Sequence, residues 1–309
     1  MTRQVAIHGL NGDNEPPVWQ EALVSDCALD GITTRESIIR EETVDRSPGS
    51  AVDLSIITIS TNEGDQLADS ARSVLAGSAG LTVEYFVIDN ACVDDTVTIA
   101  GACSGVTLIR NEHRLGFASN NNLALQRAQG RYILLLNPDT ILDPDTLPFM
   151  IRFMDDHPDI GASACKLVNP DGSIQYTARR FPTPGAILAR WAHLDRVFPR
   201  LTLLTNYLMS DWDHETERDV DWLVGAFILV RRQVVDQVGM LDPAFDPLYY
   251  EDIDWCFRIR KAGWRIRYVP YVRTVHLYDR ESAQTIFNKW TVIHFRNILR
   301  YFWKHRGGR

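Results

Sequence analysis

From about residue 52 onward, short apolar runs alternate with stretches whose apolar residues recur at helical spacing. Leu54-Ser55-Ile56-Ile57-Thr58-Ile59 is a β-branched apolar run bounded by polar residues, which predicts a strand covered on both faces. Asp65 to Ala76 follows, with Leu67, Ala71, Val74 and Leu75 one or two turns apart, and predicts a helix. The alternation continues with strands at Glu84–Ile88, Val106–Ile109 and Tyr132–Leu136, and helices from Asp94 to about Cys103 and from Gly116 to Ala128. Strand and helix in turn, at the spacing of βαβ units, predict an α/β fold with an open, mainly parallel sheet and flanking helices. Ligands of such sheets bind beyond the carboxyl ends of the strands, so the polar residues just past those ends are the first candidates for chemistry.

The second half is more mixed. Residues 145–157 read as a helix, Ile160–Leu167 as a strand, Asp221–Val230 as one strong strand and Arg232–Val238 as a helix, with aromatic- and proline-rich loops and helices over 171–220. Residues 1–50 differ from the rest: Asn11 to Pro17 is turn-rich, Asp45 to Ser50 reads as a linker, and Val18 to Ile39 has room for a short helix. The pattern divides the chain into an N-terminal extension over 1–50, flexible or a small add-on and given no chemistry, a main domain over 51–280, and a tail over 281–309.

Composition narrows the function classes. A formal net charge of −8 supplies no basic field for broad nucleic-acid binding. Five cysteines lie far apart with no CxxC pair, a pattern of reduced thiols and not of a zinc site or a disulfide framework. The first residues lack the apolar core of a signal peptide. No stretch reaches the ~18 consecutive apolar residues that span a bilayer, so the body is expected to be cytoplasmic. The tail is an exception to the acidic balance. Phe287 to Arg309 carries Lys289, Arg296, Arg300, Lys304, Arg306 and Arg309 without an acid, interleaved with Trp290, Phe295, Tyr301, Phe302 and Trp303. Such a helix either packs its aromatics on the domain or lies peripherally on an anionic membrane face, and the two are compatible.

The strand-end residues are Thr61-Asn62-Glu63, Asp89-Asn90 and Asn137-Pro138-Asp139. A carboxylate such as Asp139, held on a proline-stiffened turn after a buried strand, can ligate a hard divalent cation, which in turn neutralises a diphosphate. The other reading of Asn-Pro-Asp-Thr is a plain turn. Glu251, Asp252 and Asp254 put three carboxylates within four residues, enough for a general base tuned by its neighbours. They also open a stretch with Arg258, Arg260 and Lys261 near its far end and Gly263 beyond, which describes an ordinary helix matched to its dipole. Trp222-Leu223-Val224-Gly225-Ala226 offers an aromatic and a close backbone approach to a ligand, or simply core. His276 is either a third metal ligand or a structural histidine.

In this order and spacing the pieces resemble glycosyltransferase family 2, in its bacterial rhamnosyltransferase-like branch. The matching text begins with Leu54-Ser55-Ile56-Ile57 and Asn62, Val87-Ile88-Asp89-Asn90-Ala91, Arg110-Asn111, Leu115-Gly116-Phe117-Ala118 and Asn121-Asn122. It continues with Leu134-Leu135-Leu136-Asn137-Pro138-Asp139-Thr140, Asn169-Pro170-Asp171-Gly172-Ser173 and Arg179 to Pro184, then Asp221 to Ala226, Tyr250 to Asp254 and Ala262-Gly263-Trp264. The likeness covers about residues 52–278. It implies a GT-A fold, with a Rossmann-like nucleotide-binding half and an acceptor-binding half. It also implies inverting transfer of a sugar from a nucleoside diphosphate sugar to a glycan or lipid-linked glycan. By that likeness Asp89 recognises the nucleoside, with Asn62, Glu63, Asn90, Gly116, Asn121 and Asn137 lining the donor pocket. Asp139 holds Mg²⁺ or Mn²⁺ on the diphosphate, with help from His276. Asp252 is the base with Glu251 beside it, and Trp222, Gly225 and Ala226 face the acceptor.

Two departures bear on this. Ser60-Thr61-Asn62 stands where the family commonly has Ser-Tyr-Asn, so an aromatic contact to the nucleoside is either lost or supplied elsewhere. Asn137 stands where many GT-A enzymes carry the first aspartate of Asp-x-Asp, which weakens the pull on a metal. The rival readings are the same chemistry with a UDP-hexose or galactofuranose donor in place of dTDP-rhamnose, and a catalytically silent sugar-nucleotide or glycan-binding module. A Rossmann oxidoreductase is disfavoured because no G-x-G-x-x-G follows the first strand.

Overall fold

In a computed structural model the described residues are 51–192, 194, 198, 201–277 and 289–306. The helix expected within residues 18–39 and the linker at 45–50 lie outside them. The first strand, β1 (Leu54–Ser60), is followed by α1 (Gly64–Ala76), β2 (Val83–Asp89), α2 (Thr96–Ala102), β3 (Val106–Arg110), α3 (Phe117–Leu125) and β4 (Tyr132–Leu136). β1 pairs in parallel with β2 and β4, and β2 pairs in parallel with β3. Leu54, Ile56, Ile57 and the whole of β4 are buried, as a strand run apolar on both faces requires. Because these strands are parallel and in step, Ser60 opposite Asp89 and Asp89 opposite Arg110, their carboxyl ends finish on one rim. That rim receives the turns at 61–63, 89–92, 110–116 and 137–139.

Further along come β5 (Thr140–Leu142), α4 (Thr146–Asp156), β6 (Ile160–Val168), β7 (Ala178–Arg179), α5 (Pro184–Trp191), α6 (Thr202–Leu208) and β8 (Arg218–Asp219). The chain then forms β9 (Trp222–Leu223), β10 (Phe227–Arg231), α7 (Arg232–Val238), a short 3₁₀ turn at Pro243–Phe245, α8 (Glu251–Lys261), β11 (Arg265–His276) and α9 (Lys289–Lys304). The sheet runs β3-β2-β1-β4-β10-β6-β11-β5, with β8 on β11. β10 is antiparallel to both β4 and β6, β11 is parallel to β6, and β5 is antiparallel to β11. The parallel half therefore ends at β4, and the second half is mixed.

The single strand expected over 221–230 is two strands. Its interruption at residues 224–226 follows from where the backbone groups go. The Val224 N–H donates to Thr177 O (3.0 Å), the Gly225 N–H turns to the Asp252 carboxylate (3.3 Å), and Ala226 O accepts from Asn137 N–H (3.0 Å). Three partners on three segments replace a ladder, and the break lies beside both acidic motifs.

α9 has two apolar faces. Asn297, Ile298 and Tyr301 are buried on the domain, while Val292, Phe295, Leu299 and Trp303 recur at helical spacing on the opposite, exposed side. No helix among the described residues is long and apolar enough to cross a membrane.

Candidate active site

The turns after β1 and β2 are stitched together. Asp89 is buried, and one of its carboxylate oxygens accepts the Cys92 N–H (2.7 Å) while the other faces Arg110 Nε (3.4 Å). Asn62 adopts a left-handed backbone with φ 65°, tolerable for asparagine, and its Oδ1 accepts the Val93 N–H (2.8 Å). The Glu63 carboxylate accepts the Thr61 N–H (3.1 Å). Asn90 reaches across the rim, with Oδ1 accepting the Leu115 N–H (2.8 Å) and Nδ2 donating to Leu115 O (3.2 Å). Asn111 and Asn120 continue this net, linked at 2.6 Å, so the loop over 111–116 is held by side-chain amides. Asn121 is turned into its own helix, where its amide donates to Phe117 O (2.9 Å).

Gly116 is required by space and not by torsion. Its φ of −80° and ψ of 170° suit any residue, but a Cβ there would lie 2.2 Å from Asp246 Cγ. Asp246 approaches because it caps α3, its carboxylate accepting the Ala118 N–H (3.0 Å) and the Ser119 hydroxyl. We expect Gly116→Ala to lower the melting temperature by several degrees, the signature of about 1–3 kcal/mol of overpacking. A melting curve equal to the parent's would refute that contact. A cavity of about 660 Å³ opens beside this junction, its wall including Thr61, Asn90, Arg114, Phe117, Leu248 and Trp290.

At the end of β4 the Asn-Pro-Asp segment forms a turn, and its carboxylate is a candidate ligand. Thr140 Oγ1 closes it by donating to Asn137 O (2.7 Å). Asp139 Oδ1 is buried, makes no hydrogen bond among the described residues, and lies 3.2 Å from His276 Nε2. His276 Nδ1 meets Gln175 Oε1 at 2.7 Å, which assigns the ring proton to Nδ1 and makes Nε2 the acceptor of the Asn137 amide (3.2 Å). Gln175 is itself fixed by donating to His276 O (2.9 Å) and Asn169 Oδ1 (2.7 Å). In that tautomer a carboxylate oxygen and an imidazole lone pair face each other, an arrangement relieved by a shared cation or by a proton on Nε2. The donor set suits a divalent cation, with one oxygen and one nitrogen ligand and an asparagine beside them. No cluster of three or more His, Cys, Asp or Glu able to hold a metal occurs among the described residues, so the remaining ligands would come from substrate and water.

The three carboxylates at the start of α8 lie in three environments. Asp254 is buried, yet His305 (2.8 Å), Arg258 (2.9 Å) and Lys304 (2.7 Å) surround it. Burial alone would raise its pKa, but the His305 hydrogen bond and the charges of Arg258 and Lys304 bring it below the ordinary range, which makes it a structural anchor. Glu251 is buried, with Oε2 unpartnered among the described residues. Burial, and then the neighbouring Asp252 charge, push its pKa well above the ordinary range, so the carboxyl holds its proton to higher pH than a free carboxylate does. Asp252 is half-buried, and its pKa is pushed up to about 6 by desolvation. The N–H groups of Ile253 (2.8 Å) and Gly225 (3.3 Å) and the charge of Arg179 keep it from rising further. Of the three, Asp252 alone combines access with a pKa near neutrality, as a general base requires.

Two expectations follow from these shifts. A base with a pKa of about 6 is protonated as pH falls, so turnover at pH 5 is expected to drop to about a tenth of its plateau. A flat acidic limb would remove Asp252 from that role. The native state holds the Glu251 proton to higher pH than the unfolded chain, so its contribution to stability falls as pH rises from the ordinary carboxylate range toward the raised value. Glu251→Gln keeps the neutral shape, and its melting temperature is expected to fall less than the parent's as pH rises above the ordinary carboxylate range. Equal slopes would place the ionised form in the native state.

Residues 225 and 226 join the two acidic sites, the first bonded to Asp252 and the second to Asn137. A Cβ on Gly225 would meet Phe117 Cζ at 3.1 Å, so this bridge is packed against α3. Trp222 is buried, its indole N–H donating to Arg180 O (2.8 Å), and the Arg179 guanidinium stands 5.3 Å from its ring centre. Asp246, Gln175 and Arg179 were not among the predicted site residues. Each acts on a partner tens of residues away or more. Arg179 opens the Arg179–Pro184 text of the family resemblance but was given no role there, and no local motif marks Asp246 or Gln175.

Comparison with known proteins places this geometry in a family. The family model described as "Glycosyl transferase family 2" matches residues 55–239, more than half of the chain. The chain is 29% identical over 199 residues to the Rhamnosyltransferase WbbL of Escherichia coli (strain K12), covering 62% of this chain and 71% of that protein. It is 32% identical over 147 residues to the N-acetylglucosaminyl-diphospho-decaprenol L-rhamnosyltransferase of Mycobacterium tuberculosis (strain CDC 1551 / Oshkosh), covering 47% and 46%. An uncharacterised protein of Sinorhizobium fredii matches over 74% of this chain but only 24% of its own length. Among solved structures, the mannosyltransferase PcManGT from Pyrobaculum calidifontis in complex with GDP-Man and Mn²⁺ aligns with a TM-score of 0.56 at 18% identity, covering 87% of this chain and 69% of that one. GalNAc-T7 with UDP, GalNAc and Mn²⁺ gives 0.58 at 16% identity, covering 82% and 50%. These likenesses agree with the GT-A fold.

Proposed function

The chain belongs to glycosyl transferase family 2, in its rhamnosyltransferase-like branch, and from that premise we propose that it is an inverting glycosyltransferase. The donor is a nucleoside diphosphate sugar, with rhamnose favoured by the names of two relatives. The acceptor is a hydroxyl of a cell-surface polysaccharide or lipid-linked glycan. The observation that carries this reading is the pairing of two unlike acidic sites through residues 225–226. One has an unpaired buried carboxylate oxygen facing a histidine, and the other a carboxylate that titrates near neutrality.

In this reading Asp89, Asn62, Glu63, Asn90, Gly116 and Asn121 shape the nucleoside and phosphate end of the donor pocket. Asp139 and His276, with Asn137 beside them, would hold a divalent cation, Mg²⁺ or Mn²⁺. When bound, it supplies positive charge to the diphosphate. Trp222, Gly225 and Ala226 form the acceptor side. Asp252 takes the proton of the acceptor hydroxyl as its oxygen bonds to the anomeric carbon, and the bond from that carbon to the diphosphate oxygen breaks with its electron pair leaving on the diphosphate. A single in-line displacement inverts the anomeric centre. Glu251 beside it holds its proton more tightly than a free carboxyl, which favours Asp252 as the proton acceptor of the pair.

The reading includes a cytoplasmic location with peripheral contact to an anionic membrane face. Its support is the exposed stripe of Val292, Phe295, Leu299 and Trp303, flanked by Arg296, Arg300, Lys304 and Arg306. Cosedimentation with vesicles containing phosphatidylglycerol is expected for the parent and is expected to weaken about tenfold or more for Leu299→Ser/Trp303→Ser. Equal recovery of parent and variant would refute this surface. The proposed activity is tested by incubating the protein with a panel of dTDP-, UDP- and GDP-sugars, a range of glycan acceptors and Mg²⁺ or Mn²⁺, following nucleoside diphosphate release. Acceptor-dependent release from at least one donor is expected, whereas donor binding without turnover would favour the silent binding module.

A further inference from the structure

The proposed base stands at the end of an irregular segment whose conformation is held from outside. Tyr249 and Tyr250, immediately before Glu251 and Asp252, both have left-handed backbones, with φ of 77° and 79°. Two successive aromatic residues in that region are strained and persist only where surrounding contacts fix them. The segment has no regular pairing of its own between the 3₁₀ turn and α8. Its start is tied to α3, where Asp246 caps the helix and the Phe117 N–H donates to Pro247 O (2.8 Å), and its remaining part is held by the C-terminal helix.

Asn297 is at the centre of them. It is fully buried, and its amide nitrogen lies 2.5 Å from Phe245 O, 3.0 Å from Leu248 O and 3.0 Å from Tyr249 O. Its orientation is settled by the other end of the amide, where Oδ1 accepts from Arg296 Nε (3.1 Å). Two N–H groups shared among three carbonyls leave little freedom to the turn they bind. One helical turn to either side, the same face of α9 adds aromatic contacts. His294 meets the rings of Tyr249 and Tyr250 at 5.3 and 5.4 Å, and Tyr301 meets Tyr250 at 5.6 Å. Arg296 and Arg300 donate to Asp246 O and Ala244 O. Lys304 and His305 hold Asp254, two residues beyond the base. The helix thus grips the segment before Asp252 and, at Asp254, the helical turn that contains it.

We propose that Asn297 is a positioning residue for the transfer reaction, fixing the 245–250 turn so that Asp252 faces the acceptor side of the cleft. The inference rests on the reading of Asp252 as the base, and extends the machinery to a helix outside the region matched by the family model. An anchor that only stabilised the fold would need to hold the domain together. Asn297 instead places its donors on the carbonyls of the turn that leads into the base.

The test uses the full chain with Asn297→Ala, and Ile298→Ala as a control buried on the same helix without bonds to the turn. Hydrogen exchange followed by mass spectrometry is expected to show faster uptake in peptides covering 245–254 for Asn297→Ala, with peptides from β1 and β4 unchanged. Steady-state kinetics are expected to show kcat reduced about 10- to 100-fold and the donor KM within about threefold of the parent's, the split expected of a displaced base. Ile298→Ala is expected to lose melting temperature without that loss of kcat. The proposal is overturned if exchange over 245–254 is unchanged, or if Asn297→Ala loses no more kcat than Ile298→Ala. A parent chain that turns over no donor would count against the transferase reading, and the exchange measurement would then decide the positioning role alone.

Discussion

Asp252→Asn is expected to lower kcat by about 10²- to 10⁴-fold while leaving donor affinity within a few-fold of the parent's. Asparagine keeps the shape of the side chain and can still accept the Ile253 N–H, so α8 begins as before. What it loses is a site for the acceptor proton. The two neighbouring acids offer no substitute. Glu251 is buried and holds its proton more tightly than a free carboxyl, and Asp254 is consumed by Arg258, Lys304 and His305. The acidic limb near pH 6 should disappear together with the activity. Donor affinity measured by calorimetry separates this outcome from its rival, because a large loss of binding would make Asp252 a donor contact and leave the base unassigned.

The second large effect is expected at the other carboxylate. Asp139→Ala should reduce kcat/KM by about a hundredfold or more, roughly 3 kcal/mol of lost charge stabilisation, and should abolish the dependence of donor binding on Mg²⁺ or Mn²⁺. The buried, unpaired Oδ1 is the reason for the size of the effect. A buried anion without a hydrogen bond is costly unless a cation completes it, and His276 in its Nδ1-protonated form does not. Titration of donor into the variant with and without metal reads this directly. A metal response equal to the parent's would show that the cation, if any, is held elsewhere. His276→Ala should give a smaller loss, since it removes a neutral ligand and leaves the carboxylate charge.

Much of this site was legible in the sequence because parallel strands deliver their ends to one rim. Once the alternation over residues 54–136 predicted such a sheet, Asp89, Asn137 and Asp139 fell on one rim without any knowledge of side chains. The acidic run over 251–254 was legible as a cluster but not as three roles. Its division depends on partners at 225, 258, 304 and 305 and on burial, and no spacing rule carries that information. The run over 221–230 reads as one strand because its apolar pattern is unbroken. The interruption comes from backbone bonds to Thr177, Asp252 and Asn137, all remote in sequence. Asp246 and Asn297 were invisible for the same reason. Asp246 caps a helix that begins more than 120 residues earlier, and Asn297 sits in a tail that reads as a basic amphipathic helix. The tail offered packing on the domain or contact with an anionic membrane face. The structure shows the packing, through Ile298 and Tyr301, and leaves a second apolar stripe exposed on the opposite side.

The central claim is a single displacement assisted by one base, and the anomeric configuration of the product tests it most directly. With a turned-over donor in hand, proton NMR of the isolated glycoside reads the new linkage without assumptions about any residue. The account expects configuration opposite to that of the donor. Retention would contradict it, since one in-line attack by an acceptor hydroxyl deprotonated at Asp252 cannot preserve the anomeric centre.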